Sequence, residues 1–223
     1  MTERTNLIDT FFPIWQLDQN GNPELLGSAF MLKACNIFFI ITATHVMEKA
    51  LRSPLFVPTN KELYHLTGKC SGYPSSSLDV CLIEPDDYSL LKLLDRYKPI
   101  DIDSVDMNDM TLDNDSYSIS GFPSVLSSIN LMECSVDAQF LIHVTTPQSL
   151  RMYRKCQVDR KSHLVLRHSK KRAKTVHGMM MRPPELYGMS GGPIFKHTYC
   201  QERNIFENRL VGIIIEKNLL LDV

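Results

Sequence analysis

Apolar residues in this chain come in short runs. The longest uninterrupted one, Ile37 to Ile41, is five residues, and the others are broken by polar or turn-forming residues. Runs of that length suit strands better than helices. None approaches the ~18 to 20 uncharged apolar residues that cross a membrane as a helix. The first run, Phe12–Leu17, ends in Asp18-Gln19-Asn20-Gly21-Asn22-Pro23, a strong turn sequence. Further strands are expected at Ser28–Leu32, Asn36–Thr42, Val80–Ile83, Ser116–Ser120, Ile129–Ala138, Phe140–Thr145, His163–Arg167, Pro193–Lys196 and Leu210–Glu216. Lys33-Ala34-Cys35 joins the second and third as a hairpin connection. Short helices fit Val46–Leu51 and Tyr88–Tyr97. Many short strands at this spacing predict an all-β barrel or sandwich.

Charge is distributed unevenly. Residues 1–150 hold 9 Lys+Arg and 19 Asp+Glu, whereas residues 151–223 hold 15 and 6, although the whole chain sums to −1. Asp101 to Asp115 is rich in Asp, has no basic residue, and reads as a solvated connector. Arg151 to Arg182 has eleven basic residues against one acid, Asp159. It reads as solvated loops. A nucleic-acid partner is not expected, because base-stacking aromatics are missing there except Tyr153. The six cysteines (35, 70, 81, 134, 156, 200) form no CxxC pair and no zinc-like spacing with His, so no metal is expected. The N-terminal MTERTNLIDTFF has no basic stretch followed by an apolar one. Reduced thiols, a cytoplasmic location and no membrane association are the corresponding expectations.

Three segments carry chemistry. Gly188-Met189-Ser190-Gly191-Gly192-Pro193 sets a serine between glycines, which permit a tight turn and a concavity of backbone N–H groups. Such a concavity can hold the oxyanion of a tetrahedral intermediate. Ile40-Ile41-Thr42-Ala43-Thr44-His45 ends a buried apolar run on a histidine, a rigid position for a general base. Ser77-Leu78-Asp79-Val80 puts an aspartate at the opening of another apolar run, where it caps a turn or orients a base.

Taken together, the order His45, Asp79, Ser190 resembles the chymotrypsin/trypsin-like serine peptidases, and most of all the bacterial intracellular trypsin-like peptidase domains and HtrA-type barrels. Gly27-Ser28-Ala29-Phe30 is similar to that family's small-residue strand, and Thr42-Ala43-Thr44-His45 to its Thr-Ala-Ala-His. Leu78-Asp79-Val80, Ser120-Gly121-Phe122-Pro123, Gly188 to Pro193, and Leu210-Val211-Gly212-Ile213 extend the likeness over residues 11–217. The resemblance implies two six-stranded antiparallel barrels with the site in the cleft between them. The N-terminal barrel would occupy residues 1–100, the acidic connector 101–115 and the C-terminal barrel 116–223. It implies Ser190 as nucleophile, His45 as base, Asp79 as orienting carboxylate, and an oxyanion hole from the N–H groups of Gly188 and Ser190. The substrate pocket would be walled by Pro184, Glu185 and Leu186 and by Ile215, Glu216 and Lys217. It implies serine endopeptidase activity on a protein or peptide substrate without a cofactor, with a regulatory protein as a further partner. Met189 stands where secreted trypsins carry an Asp that pairs with a new N-terminus, so activation of that kind is not expected. The alternative is a latent barrel that binds an acidic protein or nucleic acid.

Overall fold

The computed structural model describes residues 7–50, 53–60, 62–71, 78–106, 115–130, 135–168, 173–174, 180–181, 184–200 and 205–215. The first half of the chain forms strands β1 (Phe11–Leu17), β2 (Pro23–Ala34), β3 (Ile37–Thr42), β4 (Phe56–Pro58), β5 (Leu63–His65), β6 (Gly68–Ser71), β7 (Cys81–Pro85) and β8 (Ile100–Asp101). They make one curled sheet in the order β5-β4-β1-β2-β3-β7-β6, with β8 running parallel to β2. The second half contributes β9 (Ser116–Gly121), β10 (Ser127–Asn130), β11 (Ser135–Ala138), β12 (Leu141–Thr145), β13 (Ala173–Lys174), β14 (Met180–Met181), β15 (Pro193–Cys200) and β16 (Ile205–Ile213). Its main sheet has the order β12-β9-β15-β16, and β10–β11 and β13–β14 are separate antiparallel pairs. Three short α-helices, α1 (Thr44–Ala50), α2 (Asp87–Leu94) and α3 (Leu150–Cys156), and three 3₁₀ turns complete the described structure.

Period-two alternation sorts the strands' side chains between cores. Along β1, Phe12 and Ile14 enter a core inside the first sheet with Met31, Ile40 and Ile83. Phe11 and Trp15 face the other way, into a second core that also takes Phe30, Ile41, Phe122, Phe195 and Leu210. That second core draws on both halves of the chain. A third core, around Tyr117, Ile119, Met189 and Ile194, lies under the second sheet. Both faces of β1 and β2 are covered, which explains five consecutive buried residues in β1 and seven in β2. A fully buried Phe or Ile contributes about 1.5–3 kcal/mol, so the shared core is a substantial bond between the halves.

The expected all-β architecture is the observed one. Within it the first sheet has eight strands among the described residues. The β2–β3 connection tightens to Cys35-Asn36, both at positive φ. The expected strand at 163–167 shrinks to a single bridge, Pro147 to Leu166, and the last strand sits earlier, at Ile205–Ile213. Helix α3 lies in the basic stretch read as loops and buries Tyr153. Nor is the acidic stretch solvated throughout. Asp115 pairs with Lys196 at 3.0 Å with side-chain exposures of only 17% and 13%, and the Asp106 N–H donates to the Leu210 carbonyl. Residues 107–114 lie outside the described set.

Candidate active site

Strand register brings His45 and Asp79 together. β3 and β7 are antiparallel neighbours with Thr42 opposite Cys81. Continuing that register puts Asp79 opposite Thr44, and the Thr44 N–H donates to the Asp79 carbonyl at 3.4 Å. His45 follows in the first turn of α1. The Asp79 carboxylate then grips it twice. Its Oδ1 accepts the His45 backbone N–H at 2.9 Å, and its Oδ2 lies 2.5 Å from Nδ1 of the ring. Both side chains stay partly open, at 38% and 31% exposure, so the pair is held and still reachable.

The serine turn is built differently. Gly188 and Gly191 take φ of +93° and +88°, a region glycine enters without strain. A Cβ on Gly191 would come within 2.1 Å of the Ser28 carbonyl and 2.3 Å of Thr42 Oγ1. The turn therefore packs directly on the middle of β2 and the end of β3. Beneath it Met189 is fully buried in the third core. Tyr187 C=O accepts the Ser124 N–H at 2.7 Å. A trans peptide points its C=O and N–H in opposite directions, so the Gly188 N–H is turned away from Ser124. Among the described residues, neither the Gly188 N–H nor the Ser190 N–H has an acceptor.

Ser28 is the residue the motif reading undervalued. It is fully buried. Its N–H donates to the Ser190 carbonyl at 2.7 Å, its Oγ donates to the Gly188 carbonyl at 2.9 Å, and the same Oγ accepts the Phe122 N–H at 2.9 Å. One side chain thus ties the serine turn and the end of β9 to the first sheet. The signal for it was the small pair Gly27-Ser28 inside an apolar strand. A Cβ on Gly27 would meet Val46 at 2.7 Å and the Ser190 carbonyl at 2.9 Å, so only small residues admit the turn.

Among the described residues, no hydrogen bond joins Ser190 Oγ to the His45 ring. Pro184 and Leu186 are half-buried, and Leu186 packs on the third core; Glu185 is exposed and Ile215 half-buried. Glu216 and Lys217 lie outside the described residues. A cleft of ≈ 840 Å³ opens on His45, lined also by Asp18, Glu24 and Glu48. The Asn22 backbone N–H holds the Asp18 carboxyl below its usual range. No group of three or more His, Cys, Asp or Glu suited to a metal occurs among the described residues, and none of their helices is long and apolar enough to cross a membrane.

No protein-family model and no curated protein matches the chain. Solved structures do. The scabies mite inactivated protease paralogue S-D1 is similar at a TM-score of 0.50 and 13% identity, covering 93% of this chain and 87% of its own. The MamO protease domain of Magnetospirillum magneticum aligns at a TM-score of 0.41 and 11% identity, over 91% of each chain. The fold is the chymotrypsin-like double barrel.

Proposed function

We propose that this chain is a serine endopeptidase that cuts a protein or peptide substrate through Ser190, His45 and Asp79, an enzyme of the bacterial cytoplasm akin to HtrA-type barrels. The observation that carries this reading is the His45–Asp79 pair. A carboxylate that fixes both the backbone and Nδ1 of one histidine leaves Nε2 as the nitrogen able to take a proton. Ser190 Oγ attacks the scissile carbonyl and its proton passes to Nε2. The unengaged N–H groups of Gly188 and Ser190 receive the oxyanion. His45 then protonates the leaving amine, and an acyl-enzyme forms on Ser190. Water, activated by the same Nε2, releases the acid. Asp79 stabilises the imidazolium throughout. The steps need only these groups and water.

A second reading is a latent barrel that binds an acidic partner through the basic stretch Arg151–Arg182. The missing Ser190–His45 hydrogen bond favours it, although such bonds often tighten only with substrate bound. Reaction with a fluorophosphonate probe separates the two. Stoichiometric labelling of Ser190, absent from Ser190→Ala and His45→Ala, supports the peptidase. An unlabelled protein that instead binds a polyanion in a salt-sensitive way refutes it.

A further inference from the structure

Cys70 and Cys81 sit side by side on neighbouring strands. Cys70 is opposite Ile83 in the β6–β7 ladder and Ser71 is opposite Leu82. Cys70, Cys81 and Ile83 therefore share one face of the sheet. The two Sγ atoms are 3.0 Å apart. A disulfide needs about 2.05 Å, so closure asks for a shift of roughly 1 Å. The strands differ in their freedom to supply it. Cys81 is 1% exposed and Ile83 4%, both in the first core, whereas β6 ends the sheet and all four of its residues are exposed. The edge strand can move in while β7 stays. Among the described residues no other pair of sulfurs is in contact.

We propose that Cys70 and Cys81 form a reversible dithiol–disulfide site, whose oxidised form closes the segment carrying Asp79 into a covalent loop between β6 and β7. The oxidant is a low-molecular-weight disulfide of the glutathione class. The exposed Cys70 reacts first: its thiolate attacks one glutathione sulfur and the other leaves as a thiolate. Burial pushes the Cys81 thiol up to about 12, so Cys81 is the slower, resolving partner. Its thiolate attacks Cys70 Sγ and expels the second glutathione. Two protein thiols are oxidised, one disulfide is reduced, and the two protons go to the departing thiolates. The bond spans 11 positions along the chain and encloses Asp79. Such a link in a reducing compartment is typically transient and sensing rather than structural. The inference stands apart from the peptidase reading, because its readouts are thiols and stability.

The test treats the full chain with oxidised glutathione and maps its peptides by mass spectrometry, with Cys70→Ser and Cys81→Ala alongside. The wild type is expected to lose two thiols, give one Cys70–Cys81 linked peptide and return to the start with dithiothreitol. Its Tm should rise by about 5 to 10 °C when oxidised. Cys81→Ala should stop with glutathione on Cys70. Should that core variant fail to fold, Cys70→Ser, at the exposed edge, should fold and keep its Cys81 thiol. Glutathione persisting on wild-type Cys70 without a link overturns the proposal. So does a link between other cysteines, or equal loss of thiols in Cys70→Ser.

Discussion

His45 and Asp79 meet because β3 and β7 are paired neighbours, whereas the Ser190 turn takes its shape from a buried hydroxyl 160 positions away, that of Ser28. One half of the site follows from a ladder that fixes every residue along it. The other rests on a few long-range hydrogen bonds and on glycines that let the backbone close. Damage should spread differently in the two. A side-chain change at His45 or Asp79 leaves the ladder intact, while a change at Ser28 or Gly191 disturbs the turn itself.

The largest effect tests the two halves as one unit. Ser190→Ala should lower kcat by about 10⁴ to 10⁶, His45→Ala by a similar factor, and the double variant by little more, since groups that act together are not additive. Single-turnover cleavage by the variants decides this, and near wild-type cutting by Ser190→Ala removes the peptidase reading. Asp79→Asn strikes the ladder half alone. It keeps an oxygen for the His45 backbone N–H but favours the wrong ring tautomer, so a loss of about 10³ to 10⁴ in kcat is expected with the melting curve nearly unchanged.

Ser28→Ala strikes the turn half. It removes the donor to Gly188 and strands the buried Phe122 N–H, at a cost of about 1–3 kcal/mol. Thermal unfolding should register this, and fluorophosphonate labelling of Ser190 should slow by roughly tenfold or more. If labelling keeps its rate, Ser28 has no part in shaping the turn. Gly191→Ala should be worse for stability, because its Cβ would press into the Ser28 carbonyl as well as Thr42 Oγ1, at a positive φ.

The smallest effect belongs to the second sheet. His143 on β12 packs against His168 with ring centroids 5.5 Å apart, and burial lowers its pKa from 6.5. The fold thus prefers the neutral ring. As pH falls through about 6.5 the unfolded chain takes up a proton that the folded chain resists. Stability from this residue is full above that pH, declines below it, and levels off once both forms are protonated. Tm measured from roughly pH 8 to pH 5 should fall less steeply in His143→Gln.

How far the sequence revealed these parts follows the same division. Apolar runs announce strands, and β1, β3 and β7 were legible within a residue or two. β4, β5 and β6 are three or four residues long, and β6 is exposed throughout. They exist because neighbouring strands pair with them, and they carry little pattern of their own. α3 was hidden for a related reason: it buries one residue, Tyr153, so its sequence has no apolar stripe. In the site, the chemistry-bearing types at 45, 79 and 190 stood out. The hydrogen bonds of Ser28 did not: the small pair Gly27-Ser28 marked the position but not its partners. The pairing of Cys70 with Cys81 was equally silent, since it depends on the β6–β7 register.

The Ser28 contacts bear on the order in which the molecule comes into being. Ribosomal synthesis delivers β2 long before the serine turn, and that turn is stitched to Ser28 on one side and to Ile214 on the other, through the Gly191 N–H and the Gly192 carbonyl. Contacts so distant along the chain form late in folding. A half-made chain therefore carries a finished histidine–aspartate pair and an unshaped serine. On the peptidase reading, chains truncated before β16 should therefore take up no active-site probe.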